Sequence, residues 1–111
     1  MKRNHIPDAV VVLTTAPNRA AAKRMSQALL HRRLAACIHL APRGESQYWW
    51  RGKLEKAKEI AMTLKTSKKA LPSLVRVLKQ IHPYDTPEIL AISADGSHPA
   101  YARWLDTETR P

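Results

Sequence analysis

The stretch from Leu34 to Thr66 constrains the fold of this chain more than any other. Ile60, Met62 and Leu64 alternate with Ala61, Thr63 and Lys65, the period-two pattern of a strand with one buried face. Ahead of them Tyr48-Trp49-Trp50 is a β-prone run, and Arg51-Gly52-Lys53 supplies a tight turn in which Gly52 is free to take a positive φ. The stretch reads as one long β-hairpin. Ala36 to Ala41 is its first arm, Pro42 to Ser46 bend it, and the return arm runs to Thr66. Such a hairpin outreaches one small sheet. Its tip carries Tyr48, Trp49 and Trp50, which a lone subunit cannot bury, so the arm is expected to reach a partner subunit.

The remaining chain is enough for one domain. Of 111 residues, 44% are hydrophobic, which excludes a disordered chain. We expect a flexible leader over residues 1–8 and a single domain over 9–111. There is no Phe, so the core must be aliphatic. The single cysteine, Cys37, cannot form an internal disulfide and fits a reducing compartment. The apolar run from Ala9 to Leu13 is too short for a signal peptide or a membrane span. A cytoplasmic protein without membrane contact is expected. The net charge is +10, and its densest groups are Arg19/Lys23/Arg24, His31/Arg32/Arg33 and Lys65/Lys68/Lys69. They are spread over every segment and not interleaved with aromatic residues, so a solvated basic surface is expected rather than a nucleic-acid partner.

Taken in order, Ala9 to Thr15 is apolar on both faces and reads as a central strand buried on both sides. Asn18 is a good N-cap for a helix from Arg19 to about Arg32, with Ala22, Met25, Ala28 and Leu29 on one face. After the hairpin, Thr66-Ser67-Lys68-Lys69 opens a second helix with Pro72 in its first turn. Leu71, Leu74, Val75, Leu78 and Ile81 form its apolar stripe, and His82-Pro83 ends it. Tyr84 to Pro87 is a rigid loop, Glu88 to Ser93 a strand, and Pro99 to about Asp106 a short terminal helix. The order βαββαβ plus a helix predicts an α+β, ferredoxin-like sandwich with a long central hairpin and both long helices on one sheet face. The other face needs a cover, and a symmetric oligomer supplies one.

Five blocks carry a family resemblance: Val11 to Pro17, Leu34 to Cys37, Tyr48 to Lys53, Lys65-Thr66, and His82 to Ile89. Their order and spacing resemble the CutA family of divalent-cation tolerance proteins over roughly residues 9 to 105. The resemblance implies a homotrimer, likeness to PII signalling proteins, a role in tolerance of divalent cations such as Cu²⁺, and no established catalysis. Copper-binding members take ligands from a Cys in the first strand and two adjacent His before the Pro-Tyr pair. Here Thr14, Ile81 and His82 stand in those places. Arg51 replaces an acidic residue before the tip glycine, and Ala57 another, two residues before the retained Glu59.

Candidate sites are few. His82 and Cys37 are the metal-ligand candidates, as imidazole and thiolate, although Cys37 also fits a buried strand position. Asp85 and Glu88 add oxygen donors near His82, but Pro83 and Pro87 forbid one shared helical face. Glu59 and Lys65 lie six apart on one strand and so share a face. With Tyr84, His82 and Glu88 they could hold a small polar ligand in a cleft at a subunit junction, or form a hydrogen-bonded network that fixes the trimer. Tyr48, Trp49 and Trp50 are expected as trimer-interface anchors. No nucleophile elbow or Gly-rich phosphate loop is present, so the chain is not expected to be an enzyme. The reading from another class is a basic anion-binding module for nucleic acid or an acidic protein, suggested by the charge.

Overall fold

The computed structural model describes residues 5–111, so half of the expected leader, residues 1–4, lies outside the described residues. Strand β1 (Ala9–Ala16) leads to α1 (Arg19–His31). Asn18 caps that helix in extended backbone, its Oδ1 accepting from the Ala21 N–H at 2.8 Å. At the other end Arg33 takes φ 59°. Its N–H donates to the Leu30 carbonyl and that of Leu34 to the Leu29 carbonyl, so Arg occupies the left-handed position that glycine usually fills.

Strands β2 (Cys37–Leu40), β3 (Gly44–Trp50) and β4 (Lys53–Ser67) make the hairpin. Only Ala41 to Arg43 interrupt its first arm, a shorter bend than Pro42 to Ser46, because Glu45, Ser46 and Gln47 pair with Lys58, Ala57 and Lys56. Cross-strand bonding overrides the weak β preference of these residues. The turn is also tighter than expected. Trp50 pairs with Lys53, leaving Arg51 (φ 51°) and Gly52 (φ 81°) as a two-residue loop of the type that matches strand twist.

Helix α2 (Leu71–Ile81) starts later than the sequence suggests. Thr66 and Ser67 still pair with Val10 and Ala9, and the Ser67 hydroxyl accepts from the Ala70 N–H before the helix begins. Strand β5 is short (Leu90–Ser93), and α3 (Pro99–Glu108) closes the chain.

The sheet order is β2-β4-β1-β5, all antiparallel, the split βαβ arrangement expected from the element order. Both α1 and α2 cover one face. Val10, Val12, Ile60, Met62 and Leu64 from the sheet meet Ala22, Met25, Leu29, Leu74, Val77 and Leu78 from the helices. The outer face differs from expectation in an isolated subunit. Val11, Leu13 and Thr15 are only half-buried, and Leu90 and Ile92 beside them are 56% and 52% exposed. Helix α3 covers one end of this face, where Thr109 and Ser67 hydroxyls meet at 2.6 Å.

β1 pairs with β4 only from Ile60 onward. The first seven residues of β4, Lys53 to Glu59, pair with β3 alone and project about 24 Å beyond the sheet at strand rise. The radius of gyration is 15.2 Å, against roughly 13 Å for a compact chain of this length.

Candidate functional site

The cleft lies where the projecting arm leaves the sheet. Its volume is about 910 Å³, with Tyr48, Trp50 and Glu59 from the arm, Thr15 from β1, and Tyr84 and Glu88 from the loop after α2 among its lining. Strand parity places the arm's contribution. Tyr48 pairs with Glu55, Ser46 with Ala57 and Gly44 with Glu59, so Tyr48, Ser46, Trp50, Ala57 and Glu59 share a face, and Trp49 and Leu54 share the opposite one. Trp49 is accordingly 73% exposed and outside the cleft.

Glu59 is the hub. Its Oε2 accepts from the Tyr84 hydroxyl at 2.8 Å and from Thr15 Oγ1 at 3.2 Å. Burial pushes the Tyr84 phenol well above its ordinary value, and the hydrogen bond and charge of Glu59, then Tyr48, push it further. Tyr84 is therefore a neutral hydroxyl donor throughout the physiological range.

His82 anchors the loop from below. It is 8% exposed. Its Nδ1 accepts from the Tyr84 N–H at 3.1 Å, and its Nε2 lies 2.8 Å from the Thr15 carbonyl and 3.3 Å from Thr14 Oγ1. A carbonyl only accepts, so Nε2 carries the proton and Nδ1 the lone pair. Its ring also leans on that of Tyr84 with centroids 4.9 Å apart. Both nitrogens are thus engaged in holding the loop against β1.

The predicted site residues divide. Glu59, Tyr84 and Glu88 come together in the cleft, with His82 buried behind them. Lys65 does share the outer face with Glu59, but six strand residues separate them by about 20 Å, and Lys65 does not line the cleft. Cys37 is far from His82. It pairs with Lys65 and so lies on the outer face, whereas His82 reaches the buried Thr14, which pairs with Met62 on the helix-covered face. Among the described residues no three His, Cys, Asp or Glu side chains stand close enough to hold a metal ion. The donor set does not fit a resident metal centre. Thr15, Ser46 and Gln47 also line the cleft, and sequence reasoning passed over them. For Thr15 the available signal was its place in period two with Val11 and Leu13.

Comparison with known proteins places this geometry among relatives. The family model described as CutA1 divalent ion tolerance protein matches residues 10–108. The "Divalent-cation tolerance protein CutA" of Pectobacterium atrosepticum is 46% identical over 103 residues, 93% of this chain and 94% of that one. The crystal structure of CutA1 from Oryza sativa superposes with a TM-score of 0.89 at 36% identity, over 95% of this chain and 96% of the other. The divalent cation tolerance protein (Cut A1) from Thermus thermophilus gives 0.88 at 35% identity, over 92% and 99%.

Proposed function

The chain belongs to the CutA1 divalent ion tolerance family, and from that premise we propose that it serves divalent-cation tolerance as a cytoplasmic homotrimer, PII-like in architecture, acting by binding rather than catalysis. The observation that carries the assembly is the open outer face of the sheet. Leu90 and Ile92 stand half-exposed beside half-buried Val11 and Leu13, and the arm's Tyr48 and Trp50 face the same way, 41% and 46% exposed. Apolar surface of this extent on one face is what a symmetric partner covers. In the trimer the cleft lies at a subunit junction, and the Glu59–Tyr84–His82 network ties the arm, the sheet and the loop into one rigid wall of it.

The metal enters this reading as what the protein responds to, without a centre built from His82 and Cys37. The test is complementation. A bacterial strain lacking its own member of this family is grown over graded Cu²⁺, Zn²⁺ and Co²⁺ with this protein restored. Restored tolerance to at least one cation, lost when Glu59 and Tyr84 are changed to Gln and Phe, is the expected result. Unchanged tolerance to all three would overturn the reading.

A further inference from the structure

The helix layer has an unusual charge pattern. Neither α1 nor α2 contains an acidic residue. No Asp or Glu stands between Asp8 and Glu45, or between Glu59 and Asp85. The helical periodicity that buries Met25, Leu29, Leu74 and Leu78 against the sheet turns Lys23, Arg24, Arg76 and Lys79 outward, and all four are exposed. Arg19 and Arg32 extend the same surface at the two ends of α1. The ion pairs of the described residues join Arg33 to Glu108, Lys68 to Asp8 and Lys69 to Asp106. None of them neutralises Lys23, Arg24, Arg76 or Lys79.

Two further features narrow the partner. Leu30, at 38%, is the only large apolar side chain exposed on either helix. Neither helix carries a Phe, Tyr or Trp. Stacking on unpaired bases needs aromatic platforms, and a membrane-surface element uses Trp or Phe anchors, so both occupants lack their usual contacts here. What remains is a broad cationic layer, Arg-rich and free of competing carboxylates, which suits closely spaced phosphates.

We propose that the α1/α2 layer is a sequence-independent docking surface for the phosphate backbone of duplex nucleic acid. Of the basic residues that look scattered in the sequence, Arg19, Lys23, Arg24 and Arg32 fall on this layer with Arg76 and Lys79, whereas Lys65 lies on the outer face and Arg33, Lys68 and Lys69 are paired. The surface lies on the opposite side of the sheet from the face assigned to assembly. It therefore stands whether or not the trimer does, and a trimer would display it three times.

The test is fluorescence anisotropy of the full chain with labelled DNA duplexes of unrelated sequence at 50 to 200 mM salt. All sequences bind alike, with affinity falling linearly on a log–log salt plot. Arg24→Gln with Arg76→Gln lowers that slope by about 2, since each backbone contact contributes roughly 0.9. At 0.1 M salt this amounts to about eightfold per contact, or about 60-fold for the pair. The arm variant Lys56→Gln with Lys58→Gln removes the same net charge and is expected to change affinity by less than about twofold. Equal losses in the two variants would mean net charge alone and overturn the proposal. So would no loss from the helix variant, or a preference for one sequence that persists at 200 mM. Binding to phosphatidylserine vesicles that depends on Arg24 and Arg76, without duplex binding, would assign the layer to membranes instead.

Discussion

Placing a charge at Ile92 separates an assembled from an isolated subunit. Ile92 and Leu90 are 52% and 56% exposed in one subunit. Full burial of an aliphatic side chain contributes about 1.5–3 kcal/mol, so covering the remaining half of both adds roughly 1.5–3 kcal/mol per subunit. Ile92→Lys forfeits half of that. It also buries an ammonium group, at a desolvation cost of several kcal/mol. Val11 pairs with both Ile92 and Lys65, so the new charge stands two strands from an existing one of the same sign. In the proposed trimer the cost repeats at every interface. On an isolated subunit the same change lies on the open face of an edge strand and is worth within about 0.5 kcal/mol. Sedimentation velocity at micromolar concentration, with circular dichroism and melting curves, distinguishes the two. The wild type and an Ile92→Leu control sediment as trimers, and Ile92→Lys as monomers or unfolded chains. An Ile92→Lys protein that sediments and melts like the wild type would refute the assignment of this face, as would a folded wild-type monomer.

Titration of Cu²⁺ by calorimetry is expected to give the same stoichiometry for wild type, Cys37→Ser and His82→Ala, since the two side chains lie on opposite faces of the sheet. The His82→Ala protein is also expected to lose about 1–3 kcal/mol of stability in denaturant melts, because the Tyr84 N–H and Thr15 carbonyl lose their partner. Tight stoichiometric binding abolished by either change would restore a copper centre. Tyr84→Phe tests the raised phenol. The folded state keeps the Tyr84 proton at pH values where the unfolded chain has lost it. That contribution is whole below the ordinary phenol value of about 10 and shrinks as pH rises above it. The melting-temperature gap between wild type and Tyr84→Phe is therefore constant from pH 7 to 9 and narrows above pH 10; a gap that widens there would contradict the arrangement.

The local signals in the sequence were reliable where one element decides its own structure. Alternation from Ile60 to Lys65 marked β4, and the α2 stripe marked a helix, although Val77 was missed and is buried. Asn18 caps α1 as its chemistry predicts. Failures came where a distant partner decides. Gly44 to Gln47 carry no strand signal and become β3 because β4 offers them a ladder. Ser67 remains in the strand because Ala9 pairs with it. Arg33 and Arg51 occupy left-handed backbone positions in a chain with only three glycines, and nothing about arginine announces that.

Part of the site was legible as a set of residues, Glu59, Tyr84 and Glu88 lining the cleft while Lys65 does not, but none of it as a geometry. Parity correctly put Glu59 and Lys65 on one face, yet parity carries no distance, and strand rise separates them. His82 read as the end of a helix, a candidate metal ligand or one member of a hydrogen-bonded network. The partners of its Nε2 lie 67 and 68 residues earlier in the chain, and its Nδ1 accepts from the Tyr84 N–H two residues on, so only the folded packing of the loop against β1 reveals that both nitrogens are committed. The charge pattern was obscured for another reason. Searching for runs of Lys and Arg finds groups of similar density in every segment, whereas the helix layer is distinguished by the carboxylates it lacks. An unbalanced surface arises as readily from missing acids as from added bases, because each absent carboxylate leaves a neighbouring cation without local neutralisation. The two acid-free stretches are far apart in sequence, and the fold packs α1 and α2 over the same sheet face, which turns two unremarkable gaps into one acid-free helix layer.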